Sequence, residues 1–261
     1  MPPSFGDKEY WDSRFTSNPS TFDWLLPATP LTSSINSAIT SSPSLVPQIL
    51  HIGCGTSDLS FHLKTLVKTP AQIHNVDFSN IAVEMGRSKD GTMNWSTLDL
   101  LNLQQVLEFQ NISSEGGYTL VVDKSTADAI SCAEDVVVEL PYRITSNNDE
   151  RTSAGSVKIH PLAVLSIHLA YLTAPGANWL LLSYSNSRCD FLTSENPGER
   201  IVDEKVLDKG FIDPRLLWKV VKEEALDAPE ESGGSDRVVG RPVVKHTLYT
   251  LERTDFNLMS R

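Results

Sequence analysis

Residues 48–60, QILHIGCGTSDLS, constrain this chain more than any other stretch. Apolar Ile49, Leu50 and Ile52 run into Gly53, Cys54 and Gly55, and a helix-like pattern of Leu59, Phe61, Leu63 and Leu66 follows. A strand that stops on small residues and opens a helix brings bare backbone to the carboxyl edge of a sheet, where a ligand can approach. Three later segments end on an acid. IHNVDFS puts Asp77 at the end of a second strand, WSTLDLL puts Asp99 at the end of a third, and YTLVVDKSTADAI puts Asp123 at the end of a fourth. One glycine turn followed in order by three strand-terminal acids describes a nucleoside-binding edge.

Strands and helices alternate through this part of the chain. The patterns predict strands near 48–53, 72–77, 93–98, 118–123 and 178–184, and helices near 57–67, 79–88, 100–109 and 161–173. Such alternation implies a parallel sheet covered on both faces. Pro161 suits a first helical position, and Leu162, Leu165, Leu169 and Leu172 form a stripe behind it. The APGA run at 174–177 ends that helix and leads into the fifth strand. Residues 4–26, rich in aromatics and charge, read as a short amphipathic helix and a turn. Residues 27–47 read as a connection, with a helix near 35–39. The polar run at 143–157 reads as a flexible insertion. An acidic loop at 223–241 separates two apolar runs, 215–221 and 243–253, which suggests a closing antiparallel hairpin. The organisation expected is one domain over 1–261. Within it, 1–47 form an N-terminal lid and connection, 48–185 the ligand-binding core and 186–261 the C-terminal part.

Composition narrows the classes. The 261 residues, 40% hydrophobic, suffice for a sizeable core. A net charge of −11 repels phosphate backbones and excludes general nucleic-acid binding, while it tolerates a basic protein substrate. Cys54, Cys132 and Cys189 show no pairing or metal-ligand spacing, which suggests reduced thiols. The start MPPSFGDKEYWDSRF has no apolar signal core, and no 18-residue apolar run is present, so the expected location is the cytoplasm, without a membrane span.

Gly53 and Gly55 let backbone approach a ligand without a Cβ. Ser57 stands where a dinucleotide fingerprint has its third glycine, which argues against a pyrophosphate site. Asp77 lies at the spacing of an acid that accepts ribose hydroxyls, or else caps the next helix in competition with Ser79. Asp99, beside Leu98 and Leu100, either accepts from an adenine amino group or caps a helix. Asp123 and Lys124 sit at the mouth of the sheet, and Lys124 is spaced to pair with Asp128 across a helical turn. His51 is either a core histidine or faces the ligand. Tyr10, Trp11, Phe15, Phe22 and Trp24 either cover an edge of the core or form a lid, with Arg14 pairing with a ligand carboxylate. Nothing resembles a metal cluster, a P-loop or a nucleophilic triad.

These strand-end motifs, the Pro-Gly before the fifth strand and the final hairpin together resemble class I S-adenosylmethionine-dependent methyltransferases over roughly residues 8–253. The runs YWDSRF, FDW, IGCGTSDLSFHL, VDFSNIAVEMGR, LDLLNL, VVDKSTADAI and KHTLYTLER resemble, more narrowly, the methyltransferase-like group that includes lysine methyltransferases of translation elongation factor 1-alpha. Ser125 replaces that group's usual glycine, and His51 stands where the wider superfamily often has an acid. The resemblance implies a Rossmann-like, mostly parallel seven-stranded sheet, helices on both faces and a C-terminal antiparallel hairpin. The implied cofactor is S-adenosyl-L-methionine. Gly53, Cys54, Gly55 and Ser57 would lie under its methionine part, and Asp77, Phe78 and Ser79 at the ribose and adenine. Asp99 and Leu100 would frame the adenine, Trp11 and Arg14 would close the site, and Asp123 and Lys124 would lie at the methyl end. The cofactor supplies an activated methyl group, and the protein must hold a nucleophile in line with it. The expected activity is methyl transfer to a protein lysine, of elongation factor 1-alpha type, with Asp123 orienting the amine. The alternatives are a small-molecule O-, N- or S-methyltransferase, or a non-catalytic cofactor-binding subunit of a methyltransferase complex.

Overall fold

A computed structural model describes residues 3–112, 116–144, 155–228 and 244–258. Nine strands occur among them: β1 Ile49–Ile52, β2 Ile73–Asp77, β3 Asn94–Thr97, β4 Tyr118–Lys124, β5 Val136–Glu139, β6 Ser156–Ile159, β7 Thr173–Ser183, β8 Trp218–Asp227 and β9 Lys245–Arg253. Seven of them make one sheet in the order β3-β2-β1-β4-β7-β9-β8. All neighbours are parallel except β9, which runs antiparallel to both β7 and β8. The chain reverses its direction of winding beside β1, which lies between β2 and β4. That is the switch point at which open α/β sheets leave a crevice beyond their carboxyl ends.

The inner strands β1, β2 and β4 are buried at every position. A parallel strand with helices on both faces produces this pattern, because alternate side chains enter different cores. Leu50, Ile52 and Val121 join a core with Leu165, Leu169 and Trp179. Ile49, Leu120 and Val122 join the opposite core with Ile35, Leu59 and Val83. The helices that position the site are α1 Lys8–Ser17, α2 Thr32–Thr40, α3 Leu59–Lys64, α4 Asn80–Lys89, α5 Leu103–Ile112, α6 Thr126–Ile130 and α7 Pro161–Leu172. The apolar stripe expected on the last of these is wider than a stripe: every residue of α7 except Tyr171 is buried. His160 caps it, accepting from the Leu162 N–H at 3.2 Å.

Three expectations change. Residues 174–177 do not form a connector after the helix. They bulge within β7, whose pairing with β4 jumps from Tyr118–Thr173 to Leu120–Asn178. The insertion at 143–157 has ordered ends: Ile144 is buried, and residues from Ser156 pair as β6 against β5. Its middle, 145–154, lies outside the described residues. The acidic stretch from residue 223 begins as strand, because β8 continues to Asp227, and 229–243 lie outside the described residues. No helix among the described residues is long and apolar enough to cross a membrane.

Candidate cofactor and substrate cavity

A cavity of about 560 Å³ opens beyond the carboxyl ends of β3, β2, β1, β4 and β7. Its floor is the glycine turn. Gly53 and Gly55 both adopt positive φ, +53° and +50°. Gly53 has a second reason to be glycine: a Cβ there would lie 2.1 Å from Thr126 Oγ1 at the start of α6. Thr126 Oγ1 in turn donates to the Ile52 carbonyl at 3.0 Å, so the end of β1 and the start of α6 are held together.

Asp77 stands at the end of β2 and lines the cavity. Its Oδ2 accepts from the Gly55 N–H at 2.9 Å and its Oδ1 from the Ser79 N–H at 2.8 Å. Each oxygen keeps a lone pair for a further donor. Burial pushes its pKa up from 3.8 to about 6, against the pull of those two N–H groups. Ser79, not Asp77, caps α4: its Oγ accepts from the Ala82 N–H at 3.4 Å. Ser79 is fully buried, donates to Asp12 of α1 and does not line the cavity. Asp99 caps no helix either. Its Oδ1 accepts from the Leu101 N–H at 2.9 Å, while Asn102 accepts from the Gln105 N–H at the start of α5. Asp99 faces the cavity with Phe78, Leu98 and Leu100.

The N-terminal segment roofs this floor. Trp11 lines the cavity and donates its indole N–H to the Phe5 carbonyl at 2.8 Å. Phe5, Tyr10, Trp11, Phe22 and Trp24 meet mostly edge to face, and Phe15 stacks on Trp11. Lys124 fastens the roof. Its ammonium donates to Asp23 Oδ1 at 2.7 Å and to the carbonyls of Trp24 and Leu26 at 3.2 and 3.3 Å. Its partner is thus 101 residues away and is not the expected Asp128. Burial lowers the Lys124 pKa and the Asp23 carboxylate opposes that shift. Ser57 also donates to Asp23, and Thr56 donates to the Ser20 carbonyl at 3.1 Å. Asp23 has no periodic signal in the sequence, so only the folded chain reveals its role.

Besides Ser79, two further expected site residues lie elsewhere. Arg14 does not line the cavity; its guanidinium sits 4.0 Å over the Phe22 ring. Asp123 does not line it either. Its Oδ1 accepts from the N–H groups of Thr126 and Ala127 at 2.8 and 3.2 Å, and its Oδ2 from Trp179 Nε1 at 3.3 Å. It is a buried helix cap whose pKa burial raises to about 7. Asp128, also buried, takes the cavity side of this corner. It lines the cavity and accepts from Ser183 Oγ, from the Tyr184 N–H at 3.1 Å and from Arg188 Nε at 2.8 Å. His51 fills both roles open to it. It lines the cavity, and its Nδ1 lies 3.0 Å from Ser60 Oγ and 3.1 Å from Asn75 Oδ1. Burial holds its pKa at about 4. Among the described residues no group of His, Cys, Asp and Glu is arranged to hold a metal ion.

This arrangement matches known folds along nearly its whole length. A structure solved in work on the conversion of a disulfide bond into a thioacetal group during echinomycin biosynthesis covers 95% of this chain and 93% of its own, with TM-score 0.53 and 16% identity. An S-adenosylmethionine-dependent methyltransferase from Anabaena variabilis covers 97% of this chain and 96% of its own, with TM-score 0.51 and 10% identity. The fold is that of the class I methyltransferases. Sequence similarity points the same way over part of the chain. The ubiE/COQ5 methyltransferase family model matches residues 33–121, which span α2 to β4. Methyltransferase srdJ of Neurospora crassa is 42% identical over 142 residues, 52% of this chain. The match spans 58% of that relative's own length. The narrower likeness to elongation-factor lysine methyltransferases finds no support in these matches.

Proposed function

We propose that this protein is an S-adenosyl-L-methionine-dependent methyltransferase acting on a small molecule. The observation that carries the reading is Asp77. A carboxylate at the end of β2, with both oxygens already oriented by backbone N–H groups, faces a cavity floored by the glycine turn. Such an acid is suited to two ribose hydroxyls. Phe78, Asp99 and Leu100 would frame an adenine, Gly53, Cys54, Gly55 and Ser57 would underlie the methionine part, and Trp11 would cover it. Ser79, Arg14 and Asp123 act at one remove, while Lys124 lines the cavity with its ammonium turned to Asp23. Ser79 caps α4, Arg14 braces Phe22, Lys124 clamps the roof, and Asp123 holds the start of α6 in place.

The bound cofactor would supply an activated methyl group. The chain's own contribution is position: it holds the cofactor, excludes water under the aromatic roof, and presents an acceptor to the β4 edge. Of the neighbouring folds, one comes from work on the biosynthesis of a small molecule, echinomycin, which supports the small-molecule alternative, whereas no comparison supports the protein lysine. The aromatic-roofed cavity, of about 560 Å³ and open at its mouth, has room for a small acceptor beside the cofactor. Calorimetry should show binding of S-adenosylhomocysteine and not of NAD. Incubation with methyl-labelled cofactor and a cell extract should put the label into small molecules. Label in protein alone would return the lysine reading, and NAD binding without a response to the sulfur nucleoside would overturn the proposal.

A further inference from the structure

The cavity is longer than its nucleoside floor. Because the sheet order is β3-β2-β1-β4-β7, residues that follow β4 and β7 occupy the end away from Asp99. Ala129, Ile130, Cys132 and Ala133 line that end from the β4 side, and Tyr184 lines it from β7. The N-terminal segment closes over it: a Cβ on Gly6 would lie 2.4 Å from the Ala133 backbone. Cations nearby are engaged, Arg188 by Asp128 and Lys124 by Asp23. Both Asp128 oxygens are occupied by donors. Asp7, Lys8 and Glu9 of the N-terminal segment line the cavity at its solvent-exposed rim, so the buried walls of this end are apolar or already satisfied.

Ser125 is the exception, and it sits where β4 gives way to α6, between the two ends. It lines the cavity and is 93% buried, with 7% of its surface exposed. Its hydroxyl has no hydrogen-bond partner among the described residues. Its backbone is left-handed, φ 68° and ψ 9°, a conformation that favours glycine and is strained for serine. Its N–H is satisfied by the Leu182 carbonyl at 2.9 Å, so the backbone needs nothing from the side chain. A buried hydroxyl left without a partner is costly unless a ligand completes it.

We infer that the β4–β7 end is the acceptor subsite, that it takes an uncharged, apolar, ring-sized molecule bearing one S–H or O–H group, and that Ser125 Oγ holds the nucleophilic atom of that molecule. This rests on the methyltransferase reading above. In the step itself the acceptor's sulfur or oxygen forms a bond to the methyl carbon. The carbon–sulfonium bond breaks, its electron pair returns to the cofactor sulfur, and the acceptor's proton leaves to water at the cavity mouth.

The test uses the chain of residues 1–261, with phenylmethanethiol and 2-naphthol as uncharged probes and 4-(mercaptomethyl)benzoate as the charged counterpart of the thiol. Production of S-adenosylhomocysteine is followed, and its binding is measured separately by calorimetry. Phenylmethanethiol and 2-naphthol should be methylated, and 4-(mercaptomethyl)benzoate at least tenfold less efficiently. Ser125→Gly, which suits the left-handed backbone, and Ser125→Ala, which retains the strain, should each lower kcat/KM for phenylmethanethiol about tenfold, as expected for one hydrogen bond in a dry site. Both should leave the Kd for S-adenosylhomocysteine within twofold and the melting temperature within a few degrees. A merely structural serine would move the melting temperature and leave kcat/KM intact, which would overturn the inference. So would a tenfold loss of S-adenosylhomocysteine affinity in both variants, which would assign Ser125 to the cofactor. Normal S-adenosylhomocysteine binding with no turnover of either apolar probe would overturn the acceptor class alone. No binding by the unaltered protein would remove the methyltransferase reading itself.

Discussion

Asp77→Asn, measured across pH, separates a ligand-binding acid from a purely structural one. Burial raises the Asp77 pKa from 3.8 to about 6. The folded protein therefore holds this proton more tightly than the unfolded chain does. Ionising Asp77 costs stability as pH rises from about 4 to 6, and a shift of about two units corresponds to roughly 3 kcal/mol. This contribution makes the unliganded protein more stable on acidification through that window. The difference in unfolding free energy between the two proteins isolates it, because Asn carries no such slope. Ribose hydroxyls donate, so they need the ionised carboxylate. S-adenosylhomocysteine affinity should then fall on acidification, about tenfold between pH 7 and pH 5 for a group titrating at about 6. His51, at about 4, stays neutral through most of this range. In Asp77→Asn the amide must turn one NH₂ towards either the Gly55 or the Ser79 N–H, which costs about 1–3 kcal/mol. Affinity at pH 7 should drop by about tenfold or more, and its dependence on pH should flatten. Calorimetric titrations at several pH values and urea unfolding of both proteins decide this. A Kd that does not change between pH 5 and 7, or a variant that binds as tightly as the parent, would refute the ribose role.

Other outcomes follow from the same geometry. Gly53→Ala and Gly55→Ala should each lose about 1–2 kcal/mol to the left-handed backbone. Gly53→Ala should lose about 1–3 kcal/mol more, because its Cβ meets Thr126 whereas the nearest atom at Gly55 is Phe15 Cζ at 3.4 Å; equal midpoints in urea would refute the clash. Lys124→Met leaves Asp23 and two carbonyls without their ammonium and should cost about 3–5 kcal/mol. It should also expose residues 3–26 to proteolysis, and an unchanged digestion pattern would show that the roof is held otherwise. Asp123→Asn should destabilise by about 1–3 kcal/mol by disturbing the cap on α6, while S-adenosylhomocysteine affinity stays within twofold; a large loss of affinity with unchanged stability would return Asp123 to the cavity.

The chain's local patterns determined which segments are strands, that the sheet is mainly parallel, and that a cavity edge lies after Gly53. Each depends on neighbours in sequence: apolar runs at Ile49, Ile73 and Leu120, a turn that only glycine suits, and an acid at or near the end of β2, β3 and β4. Local pattern also placed α7, because Pro161 and the leucines behind it announce a helix. It overran at residues 174–177, where Pro175 and Gly176 punctuate a bulge inside β7 as readily as they would end a helix. What the pattern could not determine is direction. Asp77 and Asp123 look alike as acids closing apolar strands, yet one faces the cavity and the other is turned into the protein. Trp179, 56 residues further on, donates to Asp123, and that contact exists only because β7 packs beside β4. Lys124 likewise takes Asp23 over the nearby Asp128, because the N-terminal segment folds back over the sheet and Asp128 is claimed by Ser183, Tyr184 and Arg188 beyond β7. A side chain's role at such an edge is set by which distant donor reaches it first. Strand order and register, which arise only when all seven strands have paired, decide that.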